Sequence, residues 1–315
     1  MEVANPYGMA IGPDRALYFC DLDNQLIRRF DLRTGTVTTI AGSGARGYAG
    51  DGGPATAASL DMPHEIVFDA AGHLYIVERD NHVVRRVDAT TGHISTLAGT
   101  GIAGFEGDDG PASAARLNYP HSVVLDASRR RLLICDLGNH RIRQVELATS
   151  RITTWAGTGE PGPTPDGAPI AGTPLNGPRT MCVDQRGQLY LALREGNVVV
   201  RVTATTFQLV AGTGQQGYSG DGGPARLALL AGPKGLARFR DALYIADTEN
   251  HVVRGVDLRT GRIRTVLGTG QPGDGPEPEP LRCALSRPHG VLADSRGRLY
   301  VTDSEAHRIR AVSSP

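Results

Sequence analysis

Six prolines, Pro6, Pro63, Pro120, Pro178, Pro233 and Pro288, recur along the chain at steps of 57, 57, 58, 55 and 55 residues. Each is followed by one variable residue and then a short apolar run. So regular a period means a repeat architecture. The second unit shows the common order: Glu65-Ile66-Val67-Phe68, a turn at Asp69-Ala70-Ala71-Gly72, then Leu74-Tyr75-Ile76-Val77. A polar turn at Arg79-Asp80-Asn81 leads to Val83-Val84-Arg85-Arg86-Val87, and Thr91-Gly92 leads to Ile94-Ser95-Thr96-Leu97-Ala98-Gly99. Short β-branched runs parted by Gly, Asp and Asn turns read as strands, and no segment carries the 3.6-residue period of a long amphipathic helix. Four antiparallel strands per unit, six times over, predict an all-β chain folded as a six-bladed β-propeller, a single domain over residues 1–315. The chain starts at the first strand of blade 1 and ends after the third strand of blade 6, so the last blade is expected to be incomplete: three-stranded, or completed weakly by residues 1–4.

Composition narrows the function. Lys plus Arg equals Asp plus Glu, 33 each. A neutral balance argues against nucleic acid, whose phosphates need a basic face. The 41 glycines and 20 prolines fall at strand ends and in loops, so disorder is not implied. The third-strand arginines Arg28, Arg29, Arg85, Arg86, Arg141 and Arg143 read as repeat packing and solvated faces. No segment is long and apolar enough for a bilayer, and the start lacks a signal-peptide pattern, so the expected location is cytoplasmic, or exported if a leader lies upstream. The four cysteines are expected as buried free thiols.

What changes between repeats is the residue after each proline: Tyr7, His64, His121, Arg179, Lys234 and His289. In a propeller the innermost strands begin at one mouth of the central channel, which would gather these six side chains. The second strands run back to the same face and end at Asp21, Glu78, Asp136, Leu193, Asp247 and Asp303; the aspartates read as structural. His64, His121 and His289 together have the donor chemistry of a catalytic divalent metal site with open positions, although one histidine in this position is by itself a channel-lining residue. Arg179 and Lys234 suit a carboxylate, a phosphoryl group or a developing oxyanion. Tyr7 and Glu65 are candidates for proton transfer, with Glu78 a further carboxylate in blade 2. The Gly-Asp-Gly-Gly-Pro loops carry too few carboxylates for calcium; Tyr48, Phe105 and Tyr218 within them are expected to wall the channel mouth.

Asp80-Asn81-His82-Val83-Val84-Arg85-Arg86, Gly138-Asn139-His140-Arg141-Ile142-Arg143-Gln144 and Glu249-Asn250-His251-Val252-Val253-Arg254-Gly255 resemble the NHL repeat. The resemblance runs over essentially the whole chain, with blade 4 the clearest departure at Arg194-Glu195-Gly196-Asn197. His82, His140, His251 and His307 would then be the repeat's own structural histidines. Propeller hydrolases of the senescence-marker, gluconolactonase and paraoxonase type, and the peptide amidating lyase, place metal ligands near the same inner-strand position. That similarity implies a tri-histidine site on His64, His121 and His289, with Tyr7 and Arg179 beside it. Without the lactonase Asn and Asp ligands, zinc, manganese or iron is favoured over calcium. The expected function is a metal-dependent hydrolase of a small anionic ester, lactone or phosphoester. The alternatives are a lyase of the amidating kind and a non-catalytic NHL module that binds peptide or protein.

Overall fold

The computed structural model describes residues 2–128, 130–184, 186–276 and 278–313. The fold is a six-bladed β-propeller, and every sheet runs strictly in chain order, inner strand to outer. It falls into two compact units, Met1–Trp155 and Ala156–Pro315, with three blades each. The first unit's inner strands are Pro6–Ile11, Pro63–Phe68 and Pro120–Leu125; the second unit's are Pro178–Val183, Pro233–Phe239 and Pro288–Ala293. Each expected inner strand starts on its proline.

Five blades are four-stranded and blade 6 has three strands, ending with Arg308–Val312. Residues 2–4 form no strand. They bind within blade 1: Ala4 N–H donates to Asp21 Oδ1 at 2.8 Å, and the Asn24 amide donates to the Glu2 carbonyl at 2.7 Å. Among the described residues every helical segment is a single three-residue turn, such as Ala55–Ala57. No helix among the described residues is long and apolar enough to cross a membrane.

The alternation read from the sequence packs blade on blade. Ile27 of blade 1 meets Leu60, Ile76 and Ile94, all fully buried. In the second unit Leu243 and Ile245 close against Val199 and Leu230 in the same way. The glycine after each fourth strand is a steric requirement: Gly99 has φ +95°, and a Cβ there would sit 2.3 Å from the His82 carbonyl oxygen.

Candidate functional site

The variable residues owe their direction to a β-bulge. In blade 2, Pro63 pairs with Glu78 and Glu65 with Val77, so the register shifts at His64. The same shift falls at Arg179, Lys234 and His289. An extra residue re-aims its side chain out of the pleat. The residue before each proline also lies in the left-handed region: Asn5, Met62, Tyr119, Gly177, Gly232 and Arg287 have φ between 47° and 67°. Glycine and asparagine tolerate that; Met, Tyr and Arg are strained by it.

Those three strained residues precede the three histidines, and the geometry shows why. Each imidazole donates Nδ1–H to the carbonyl two residues earlier: His64 to Met62 at 3.0 Å, His121 to Tyr119 at 2.7 Å, His289 to Arg287 at 2.9 Å. The amides of the same residues donate to the turn of the preceding blade: Met62 to Gln25 Oε1 at 2.7 Å, Tyr119 to His82 Nδ1 at 3.1 Å, Arg287 to His251 Nδ1 at 3.2 Å. Burial pulls the His82 imidazole below its ordinary pKa, which keeps Nδ1 unprotonated and able to accept. His82 and His251 are thus clasps between blades, and the histidines after proline hold the backbone two residues before them. His121→Ala is expected to cost about 1–2 kcal/mol, and Tyr119→Gly in that background to recover part of it by removing the strain; urea unfolding of the two variants checks this.

In the first unit Tyr7, His64 and His121 come together edge to face, with ring centroids 4.7 Å apart for Tyr7–His64 and 4.8 Å for His64–His121. Glu65 covers Gly8, where an added Cβ would lie 2.2 Å from its Oε1, and its charge, after burial itself, helps push the Cys20 thiol upward. Cys20, Cys135, Cys182 and Cys283 are all free thiols.

In the second unit Arg179, Lys234 and His289 are 3%, 5% and 6% exposed. Lys234 Nζ lies 3.4 Å from His289 Nε2 and donates to Glu249 Oε1 at 2.8 Å. Glu249 also takes two hydrogen bonds from Arg287, at 2.7 and 3.0 Å. Burial works against the Glu249 charge, yet the Arg287 and Lys234 hydrogen bonds hold its pKa at about 2. For Lys234 burial prevails over Glu249, and with the like charges of Arg179 and Arg287 brings the amine down to about 8. Glu249 and Arg287 were not foreseen as part of this cluster. Their signal was present: Glu249 fills the variable place before Asn250-His251, and Arg287 is the charged pre-proline residue.

The aspartates ending the second strands are structural, as expected, and Glu78 takes the same place; each works with an arginine seven residues on. Asp21–Arg28, Glu78–Arg85, Asp136–Arg143, Asp247–Arg254 and Asp303–Arg310 pair at 2.7–3.4 Å. Their other oxygens accept amide protons, as Asp136 does from Asn118 at 2.7 Å. Burial raises the Glu78 carboxyl to about 7 and Asp136 and Asp247 to about 6. The loop aspartates complete the arrangement: Asp108 meets Arg143 at 2.7 Å and Asp221 meets Arg254 at 2.6 Å. They are arginine partners. One expectation changes here. Of the third-strand arginines read as repeat packing and solvated faces, Arg85 and Arg143 are fully buried packing residues, as is Arg254, and Tyr48, Phe105 and Tyr218 lie over them at 4.9–5.2 Å rather than walling a channel. Blade 4 lacks both partners at once, having Leu193 and Val200.

Among the described residues no group of three or more His, Cys, Asp or Glu side chains is gathered as a metal requires. At His289 the Lys234 ammonium occupies the approach to Nε2, and a cation there repels a second one. The donor set does not fit the expected zinc, manganese or iron.

Residues 55–146 match the family described as Teneurin NHL domain, and residues 285–311 match the NHL repeat. Protein SUPPRESSOR OF QUENCHING 1, chloroplastic, of Arabidopsis thaliana is 28% identical over 284 residues, covering 82% of this chain and 26% of that protein. The chain therefore spans about a quarter of that relative's length. Among solved structures, an auxiliary nutrient binding protein from Bacteroides thetaiotaomicron aligns at TM-score 0.73 with 15% identity, over 98% of this chain and 69% of the other. A streptogramin B lyase aligns at TM-score 0.58 with 12% identity, over 100% and 85%. Two segments of this chain thus match NHL-type families, and its strand order is that of a six-bladed β-propeller.

Proposed function

We propose that the chain is a non-catalytic NHL-type binding module, and that the inner strands of blades 4, 5 and 6 hold a carboxylate carried by a peptide or partner protein. The observation behind this reading is the cluster of two cations, Arg179 and Lys234, beside His289 on the inner strands of three successive blades. Glu249 is shared between Lys234 and Arg287, so Lys234 is not fully neutralised by it and keeps positive charge for an incoming anion. Proteins of related fold include one described as nutrient binding, which agrees with a binding role. Titrating a fluorescein-labelled tetraglutamate peptide against its tetraglutamine counterpart tests the reading: saturable binding of the first alone is expected, and equal binding of both contradicts it.

A second reading rests on one observation. An amine with a pKa of about 8, 3.4 Å from an imidazole nitrogen, has the chemistry to move a proton, which a lyase or a metal-free hydrolase needs; one fold neighbour is described as a lyase. Chemical change of a bound ester or lactone, lost in Lys234→Met, would favour it over binding alone.

A further inference from the structure

The outer part of blade 5 differs from blades 1, 2 and 4 at one strand position, where blade 3 has Leu133 opposite Gln144 and blade 6 has Tyr300 opposite Ala311. In blades 1, 2 and 4 a second-strand tyrosine faces an arginine on the third strand: Tyr18 opposite Arg29, Tyr75 opposite Arg86, Tyr190 opposite Arg201. In blade 5 the tyrosine remains, as Tyr244, but its partner is Gly255. This glycine answers no backbone demand, since its φ is not in the left-handed region. Its effect is space. A cavity of about 310 Å³ opens there, with Tyr244 and the Gly255 backbone in its lining and Phe239 at its side.

The charge displaced from the third strand is returned around the opening. Arg264 stands on the fourth strand opposite Gly255, Arg259 on the adjoining turn, and Arg240 lies over the Phe239 ring at 5.1 Å. Two aspartates also line the cavity, Asp241 and Asp257. Asp257 is committed to its own turn, accepting from the amides of Arg259 at 2.8 Å and Thr260 at 3.3 Å. Aromatic rings around a missing side chain, with three guanidinium groups at the rim, suit a flat apolar body bearing one negative charge. The volume falls at the small end of ligand pockets, enough for one or two fused rings.

We infer that this blade 5 cavity is a binding site for small aromatic carboxylates, independent of the Arg179–Lys234–His289 cluster. Isothermal titration with 2-naphthoate, and with 2-naphthamide as the uncharged isostere, tests it on the full chain. Expected are saturable naphthoate binding with a dissociation constant of about 1 mM or below and binding of the amide at least fivefold weaker. Gly255→Arg, which restores the residue type of blades 1, 2 and 4, should weaken naphthoate at least tenfold. A Cβ at Gly255 approaches Val266 Cγ1 to 2.9 Å, so that variant's circular dichroism is compared with the parent. Should it not fold, Arg264→Gln, an exposed substitution, decides through an expected loss of threefold or more. Arg33→Gln, at an exposed position remote in sequence, should bind as the parent does. No saturation up to 10 mM, equal affinity for acid and amide, or parental affinity in both folded cavity variants would overturn the inference.

Discussion

Arg85→Met is expected to destabilise the protein by about 3–5 kcal/mol, the usual loss when one member of a buried pair is removed. Arg85 is fully buried, pairs with Glu78 at 3.2 Å, and reaches Asp51 and the Ala49 carbonyl on the preceding loop. Without it, Glu78 has lost the guanidinium that offsets its burial. Its raised pKa, about 7, lets it take up a proton and softens the loss without restoring the links to the loop. Glu78→Leu alone should also be costly, because the Asp61 amide and the Asn81 side chain lose their acceptor. The double variant Glu78→Leu with Arg85→Met should recover at least half of the summed loss. Blade 4 already holds Leu193 and Val200 at these two places within an intact four-stranded sheet, and paired apolar replacement of a buried ion pair is often neutral. Denaturant midpoints of the two single variants and the double give the coupling directly; strict additivity would show that the pair does not act as a unit.

The architecture was legible because its signals are local and repeated. Each proline marks an inner strand, each β-branched run a strand, and the incomplete last blade follows from counting runs. The structural assignment of the acids at Asp21, Asp136, Asp247 and Asp303 was equally readable, since they recur at one register. The directions of the side chains after proline were not. They depend on a bulge and on left-handed backbone at Met62, Tyr119 and Arg287, where residue type gives no hint and a following proline ordinarily favours extended backbone. Three histidines at one repeat position read as metal ligands from donor chemistry alone. The contact that explains them, Nδ1–H to a carbonyl two residues earlier, is visible only once that backbone is known. Tyr48, Phe105 and Tyr218 were misplaced for a related reason: their partners are arginines from 36 or more residues away in sequence, a separation no local pattern reports.

Lys234→Met should separate binding from folding. The ammonium is buried and desolvated, and Glu249 keeps both hydrogen bonds from Arg287 when Lys234 is gone, so stability should change by less than about 1 kcal/mol. Affinity for the tetraglutamate peptide should fall about tenfold or more, as expected when a charge-assisted donor to an anion is lost. Arg179→Met should behave alike in binding. Loss of folding in both variants, with affinity per folded molecule intact, would make the two cations structural.

The pH dependence of that affinity tests the central claim most directly. Lys234 is protonated below its pKa of about 8 and loses its charge above it, whereas Arg179 and the peptide carboxylates keep theirs throughout. Anisotropy titrations of the labelled tetraglutamate peptide between pH 6.5 and 9.5 should show affinity highest at the acid end and falling roughly tenfold through a midpoint near 8, at constant ionic strength. In Lys234→Met the profile should be flat and uniformly weak. A wild-type affinity that holds level across pH 8, or the same fall in Lys234→Met, would contradict an anion site built on Lys234.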